Sequence, residues 1–211
     1  MTIDIFSPNM IKTYITCPKK FYYRYIENIS MPQLATPFER GKKIHALANY
    51  NLQGVNIDRL ESVLNAKERE IWELLKGNEF YNKEYYKSEF QINARIGKYW
   101  VGGRIDALVK GGEKYYILDY KTGSTPQNPE YDFQTMIYFI CADKYLKNYE
   151  SLFFVYINLK DKNNYIIEFT PEMRTIYENK IIEACDLISR DKIYCPNHEN
   201  CKDCIYSKLC L

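Results

Sequence analysis

Three consecutive runs of aromatic and β-branched residues in the middle of the chain constrain its fold more than any other feature. They are Tyr85–Ile96, Tyr99–Lys110 and Lys114–Tyr120, and the pairs Gly97-Lys98 and Gly111-Gly112 separate them. Runs of this composition favour extended strands, and short breaks that contain glycine favour tight hairpin turns. The pattern therefore predicts a three-stranded antiparallel meander at the centre of the protein.

Helix-forming patterns come before these runs. Ser7 followed by Pro8 combines a good N-cap with a proline at the first helical position, so a helix is expected to start there. Pro18 interrupts that helix, because a proline ring clashes with the carbonyl group four residues earlier, and it opens a second helix over Lys19–Ile26. Apolar periodicity predicts two further helices, over residues 38–52 and 58–77.

The chain after the meander alternates between helix and strand. Residues 130–148 show a helical pattern, Leu152–Leu159 and Tyr165–Phe169 resemble strands, and Thr170-Pro171 starts a helix that runs to about residue 190. A tail without periodicity, Ile193–Leu211, follows. This order of elements predicts an α/β fold in which a mixed central sheet is flanked by helices, with N-terminal helices and a cysteine-rich C-terminal tail.

One domain suits a length of 211 residues. We divide it into an N-terminal helical part (1–80), an α/β core (81–190) and the tail (191–211). The net charge of +2 is too small to indicate a nucleic-acid partner by itself. No apolar run approaches the roughly 18–20 residues that cross a bilayer, and the first residues lack the pattern of a signal peptide, so we expect a cytosolic protein with no membrane partner.

A carboxylate and a lysine stand at the end of the third predicted strand. Side chains alternate along a strand, so Asp119 and Lys121 are expected on the same face. Carboxylate oxygens are the ligands that Mg²⁺ prefers, and the carbonyl oxygen of Tyr120 could add another. Lys121 could assist deprotonation of an attacking water or hold a phosphate. Asp-x-Lys alone is also common as an ordinary ion pair at the end of a strand.

A second carboxylate, Asp106, lies on the neighbouring predicted strand. The meander can bring Asp106 beside Asp119 across the ladder. Two carboxylates that face one another repel unless a divalent cation lies between them. This pair therefore favours a metal site over two solvated aspartates.

Four motifs in order resemble the RecB-like branch of the PD-(D/E)XK nucleases. They are Arg40–His45, Gly103–Asp106, Ile117–Gly123 and Gln134–Tyr138. The resemblance covers nearly the whole chain and implies that residues 1–211 form a single nuclease domain with a catalytic core at 81–190. It also implies that His45, Asp106 and Asp119 bind the metal.

The same resemblance places Gln134 and Tyr138 near the site, where they would contact DNA or orient Lys121. These two residues are spaced four apart and share one face of a helix, so ordinary packing is the alternative. Arg104 could contact a phosphate, although a cross-strand ion pair explains it equally well. Glu89 is a weaker candidate for a ligand or a neighbour of the ligands.

The seven cysteines point to metal binding or burial before disulfides in a reducing compartment. Cys201, Cys204 and Cys210 are close enough in sequence to bind one centre, which would be zinc or an iron–sulfur cluster. Cys195 and Cys17 compete as the fourth ligand. Two others, Cys141 and Cys185, lie in apolar helical patterns and are expected in the core.

The segment around Cys17 resembles the N-terminal cysteine motif of the iron–sulfur nucleases, the AddB-like and CRISPR-associated RecB-like exonucleases. That resemblance implies a 4Fe–4S cluster bound by Cys17, Cys201, Cys204 and Cys210, with Zn²⁺ as the alternative and with residues 191–211 as the cluster-binding tail. Cys195 and His198 are then left unassigned. A centre of this kind would join the two ends of the chain.

The resemblance implies a Mg²⁺- or Mn²⁺-dependent deoxyribonuclease that acts as an exonuclease on single strands or DNA ends. One alternative is a factor that processes DNA ends in CRISPR adaptation. Another is an inactive adaptor that binds DNA ends, against which His45, Asp106, Asp119 and Lys121 argue because they are all present. A helicase, recombination or CRISPR partner would be a separate chain.

Overall fold

A single mixed sheet of five strands organises the protein. The computed structural model describes residues 3–31, 37–202 and 204–210, with the backbone alone for residues 37–40. The strands lie in the order β1-β2-β3-β4-β5. Neighbouring strands are antiparallel except β3 and β4, which are parallel. Their bounds are β1 Glu84–Ile96, β2 Tyr99–Gly111, β3 Lys114–Lys121, β4 Ser151–Asn158 and β5 Asn163–Glu168.

The predicted meander is confirmed by β1, β2 and β3, and its turns have a clear cause. Gly97 and Gly112 both adopt positive φ, at 57° and 65°, a region that costs glycine little and other residues much more. The parallel pairing of β3 with β4 requires a crossover, and the long helix between them provides it.

Seven α-helices flank the sheet in the described part of the chain. Their bounds are α1 Pro8–Thr16, α2 Pro18–Phe21, α3 Pro37–Leu52, α4 Asp58–Ser62, α5 Ala66–Lys76, α6 Phe133–Tyr145 and α7 Pro171–Arg190. One apolar core joins the sheet to α1, α6 and α7, and a second core on the opposite face joins it to α3 and α5. The protein therefore has three layers, with the sheet in the middle, as the sequence predicts. No helix among the described residues is long and apolar enough to cross a membrane.

Two predicted helices differ from the observed ones. The helix expected over 58–77 is broken into α4 and α5, because Asn65 forms a capping box with Glu68 and restarts the helix. The helix expected over Lys19–Ile26 is α-helical only to Phe21 and continues as a π-helix from Tyr22 to Ile26.

The N-terminal segment is attached to the part of β2 that β3 is too short to cover. Phe6 donates its backbone N–H to the Trp100 carbonyl at 2.8 Å and accepts from the Gly102 N–H at 3.1 Å. The pairing with β1 requires a glycine at 102, since a Cβ there would lie 2.3 Å from the Ile92 carbonyl oxygen. The contact of Phe6 places the start of α1 beside the first half of β2.

Candidate active site

Asp106 contacts the strand that carries Asp119 where the ladder between β2 and β3 ends. The last pair of that ladder is Ala107 with Leu118, and Asp106 is the next residue of β2 beyond this pair. Asp106 Oδ2 accepts the backbone N–H of Tyr120 at 2.8 Å, so its side chain takes a place that a strand partner would otherwise fill. This contact brings Asp106 to the segment that carries Asp119 and Lys121.

His45 reaches this point from α3, on the other side of the sheet from α6. Its Nδ1 lies 3.1 Å from Asp106 Oδ1, and its Nε2 lies 3.0 Å from the Tyr120 carbonyl oxygen. Burial acts to lower the pKa of His45, but the contact with Asp106 outweighs it and raises that pKa to about 9. His45 is thus adjacent to two of the other predicted ligands, Asp106 and the Tyr120 carbonyl, and this environment favours a positive charge on its ring.

Asp119 is almost fully buried and is held by two partners. Lys121 Nζ lies 2.8 Å from Asp119 Oδ2, and the Gln134 side-chain amide donates a hydrogen bond to Asp119 Oδ1. Burial raises the pKa of the Asp119 carboxyl group, and the negative charge of Asp106 acts in the same direction. An additional cation would offset both effects, which fits a site for a divalent metal ion.

Lys121 keeps its positive charge in this environment. Burial alone would lower the pKa of its ammonium group, but Asp119 outweighs that effect and the pKa is raised. Gln134 Oε1 accepts a hydrogen bond from Lys121 Nζ at 3.3 Å, so one amide group contacts both Asp119 and Lys121. Gln134 therefore lies where it can orient the pair, and its role stays a prediction.

Tyr138 is buried one turn after Gln134 on the same face of α6. Its hydroxyl donates to the Arg104 carbonyl oxygen at 2.9 Å. A Cβ at position 103 would come within 3.0 Å of the Tyr138 hydroxyl, so Gly103 makes room for it. This contact holds the backbone of β2 two residues before Asp106. Tyr138 therefore contacts the strand that carries Asp106 through its backbone.

Glu89 lies on β1 across from Asp106 and adopts an unusual backbone conformation, with φ of 45°. His45, Glu89 and Asp106 each offer a ligand atom, and these atoms lie within 4.8 Å of one another. Arg104 Nε lies 2.8 Å from Glu89 Oε2, so Arg104 forms the cross-strand ion pair that was the alternative to phosphate binding. Glu89 therefore belongs to the same constellation as the predicted ligands.

The model of the PD-(D/E)XK nuclease superfamily matches two overlapping stretches of the chain, residues 5–98 and 81–211. The chain belongs to the PD-(D/E)XK nuclease superfamily. The protein is accordingly a metal-dependent nuclease, and the mixed sheet flanked by helices is the superfamily's fold.

Individual relatives of this nuclease extend along its whole length. The CRISPR-associated exonuclease Cas4 of Francisella tularensis subsp. novicida (strain U112) is 22% identical over 224 aligned positions, which cover 100% of this chain and 98% of the relative. A protein of Eubacterium rectale assigned as an exonuclease has a TM-score of 0.62 at 10% identity, over 98% of this chain and 88% of that one. The protein SSO0001 has a TM-score of 0.52 at 19% identity, over 100% and 87%. The two structures show the shared fold.

The structure brings the N-terminal cysteine of the nuclease to its cysteine-rich tail. Cys17 is buried, and its Sγ accepts the backbone N–H groups of Lys20 at 3.4 Å and Asn197 at 3.3 Å. Burial raises the pKa of Cys210, and the nearby thiols of Cys17, Cys204 and Cys201 add to this effect. Cys195 is exposed. Cys141 and Cys185 are buried in the core, as expected.

One part of the site was not predicted. Asp132 caps the N-terminus of α6, where its Oδ1 accepts the backbone N–H of Gln134 at 2.8 Å, and Lys12 Nζ from α1 lies 2.6 Å from the same oxygen. An aspartate directly before a helical pattern is a recognisable cap, so Asp132 could have been found from the sequence. Lys12 gives no such signal, because its contact depends on how α1 packs against α6.

Proposed function

We propose that this nuclease is an exonuclease that hydrolyses DNA from ends or in single strands, using Mn²⁺ or Mg²⁺. The observation that carries the proposal is that His45 contacts both Asp106 and the Tyr120 carbonyl oxygen, while the neighbouring Asp119 pairs with Lys121. Carboxylate and carbonyl oxygens suit both ions, whereas an imidazole nitrogen is a ligand that Mg²⁺ binds less readily than Mn²⁺ does. We therefore expect Mn²⁺ to support the higher activity.

Each side chain has a distinct role in this proposal. His45, Asp106, Asp119 and the Tyr120 carbonyl oxygen would hold the ion. A bound ion would polarise a non-bridging phosphate oxygen and make water easier to deprotonate. Lys121, which stays protonated, would contact the phosphate and stabilise the negative charge that develops on it. Arg104, which is mostly exposed, could exchange its Glu89 partner for a phosphate of the substrate.

The proposed catalytic centre extends beyond the core at 81–190. Lys121 and both aspartates lie in that core, but His45 comes from the helical part at 1–80. The packing of α3 supports a catalytic centre that includes the helical part, since Ile44 and Leu47 of α3 pack directly on the sheet. We therefore propose that residues 1–190 act together as the catalytic unit, with the tail as a separate structural element.

We further propose that Cys17, Cys201, Cys204 and Cys210 bind a 4Fe–4S cluster. Two backbone N–H groups point at Cys17 Sγ, as suits a thiolate that carries negative charge. Zn²⁺ bound by the same four sulfurs is the alternative. A brown protein with bound iron and sulfide would support this assignment, and a colourless protein with stoichiometric zinc would contradict it.

The experiment that tests the nuclease proposal uses purified protein with end-labelled single strands, end-labelled duplexes and closed circles, with and without Mn²⁺. We expect Mn²⁺-dependent shortening of linear DNA while circles stay intact. Asp119→Asn and Lys121→Ala should each reduce cleavage by more than about 100-fold. Lys114→Ala is the matched control, because Lys114 lies at the opposite end of the same strand and is partly exposed. Cleavage that survives Asp119→Asn would refute the assigned site.

A second candidate function is the processing of DNA ends in CRISPR adaptation, and the full-length similarity to a CRISPR-associated exonuclease favours it. It requires the same chemistry, so the decisive measurement concerns partners. Co-purification with CRISPR integration proteins from the native host would support it. A helicase or recombination partner found instead would favour repair. The cytosolic location stays a prediction.

A further inference from the structure

An open cleft lies directly beside Lys121, between α1 and the segment of residues 122–133. Its volume is about 490 Å³. Lys12, Ile15 and Thr16 of α1 form one wall, and Tyr131 and Phe133 contribute to the other. This size falls in the range of about 300–1,000 Å³ that is usual for pockets that bind small ligands. The cleft has room for one nucleotide unit and adjoins the residue that we place at the scissile phosphate.

Two side chains with large apolar surfaces are exposed in this cleft. The exposed fractions of Ile15 and Tyr131 are 56% and 52%. Lys180 Nζ from α7 lies 4.3 Å from the centroid of the Tyr131 ring, a cation–π contact that restrains the ring. A restrained and half-exposed aromatic ring is a suitable platform for a nucleic-acid base.

The charges that line the cleft favour an anion. Lys12 and Lys121 supply two ammonium groups, and Asp132 is the single carboxylate among the lining residues. That carboxylate already accepts the N-terminal N–H of α6 and pairs with Lys12. Because Lys12 is also accessible to solvent, a phosphate could contact it while Asp132 remains bound to the helix.

We propose that this cleft is a subsite for one unpaired nucleotide next to the scissile phosphate of a DNA strand. The base lies against Tyr131 and Ile15, and its phosphate contacts Lys12. In a duplex both faces of a base are covered by its stacked neighbours, so the subsite selects frayed ends and single strands. The inference rests on the proposed function and specifies its substrate: a strand with an unpaired base at the site of cleavage.

The test measures binding in EDTA, so that cleavage does not interfere. The probes are a fluorescent oligothymidylate of about 12 nucleotides and a blunt duplex of the same length. Tyr131→Ala should weaken binding of the single strand about 5- to 100-fold and leave the duplex unchanged, and Tyr131→Phe should restore the affinity. Tyr145→Ala is the matched control, because Tyr145 lies at the opposite end of α6 and is 40% exposed.

Lys12 provides an independent check. Lys12→Gln should reduce the dependence of single-strand affinity on salt by about one unit of slope, and Lys12→Arg should not. A purely structural role for Lys12 would leave the slope unchanged and would overturn its assignment. Single-strand binding by Tyr131→Ala within about twofold of the wild type would refute the subsite. If Tyr131 controls binding but the wild-type protein cleaves no DNA with Mn²⁺, the proposed function fails and the subsite stands.

Discussion

Replacing Cys17 with serine is expected to remove the proposed cluster and to loosen the tail, whereas the same change at Cys195 should do neither. Cys17 is buried and accepts two backbone hydrogen bonds at its sulfur, whereas Cys195 is exposed. The two variants are chemically identical changes in cysteines that compete for one role. Comparing the two variants separates the effect of losing a cluster ligand from the general effect of replacing a thiol with a hydroxyl group.

The magnitude follows from the length of chain that the cluster closes. From Cys17 to Cys201 there are 201 − 17 = 184 residues. For a cross-link of that span the chain-entropy relation gives about 5 kcal/mol of stabilisation. This value is an upper limit, because direct contacts also hold the tail: the Asn197 and Asn200 amides donate to the Thr16 carbonyl at 3.2 and 3.1 Å.

The assay combines metal analysis with thermal unfolding of anaerobically purified protein. At about 2–4 °C per kcal/mol for a chain of this size, a loss of 5 kcal/mol lowers the Tm by about 10–20 °C. All variants must be compared at one scan rate, since the apparent Tm depends on that rate when unfolding is irreversible. Full iron content in Cys17→Ser, together with iron loss in Cys195→Ser, would refute the reasoning and transfer the ligand role to Cys195.

Two further predictions concern residues that support the site and the tail. Gln134→Leu should reduce the rate of single-turnover cleavage by about 10- to 100-fold without weakening DNA binding, because the Gln134 amide aligns Asp119 and Lys121. An unchanged cleavage rate would show that this amide is dispensable. Burial acts to raise the pKa of Asp191, but hydrogen bonds from the backbone N–H groups of residues 194 and 193 and from the Tyr14 hydroxyl outweigh it, so this pKa is lowered. The stability from Asp191 is therefore present above about pH 4 and is lost as the pH falls through the lower pKa of the folded state. Urea midpoints of the wild type and Asp191→Asn should converge on acidification, and a gap that stays constant would contradict this assignment.

The strands of the central meander could be predicted because their turns depend on local chemistry. Gly97 and Gly112 adopt the positive φ that the hairpins need, and that preference is visible in the sequence. The break within residues 58–77 could not be predicted from periodicity. Apolar residues continue through it, but Val63 proves to be 72% exposed and the Asn65 capping box restarts the helix.

The residues of the candidate site could be named from the sequence more readily than their arrangement, and their roles stay a prediction. The order of the motifs pointed to His45, Asp106, Asp119 and Lys121, and the structure places His45 beside Asp106 and Lys121 beside Asp119. Glu89 adopts a positive φ between the residues that pair with Ala107 and Ile105 of β2, and no local pattern in the sequence signals it. Its ion pair with Arg104 follows from that same pairing. Contacts of this kind depend on register, which the composition of a strand does not determine.

The position of the site explains why both faces of the sheet are needed to form it. His45 reaches Asp106 from α3, which packs on the core that contains Trp72 and Leu75. Gln134 reaches Asp119 from α6, which packs on the opposite core. The two carboxylates lie where the β2–β3 ladder ends, so pairing between these two strands does not align them with each other, and the two helical layers do so. A change in the packing of either helical layer can therefore move one carboxylate relative to the other, even when no proposed metal ligand is substituted. The catalytic geometry thus depends on the packing of the whole domain.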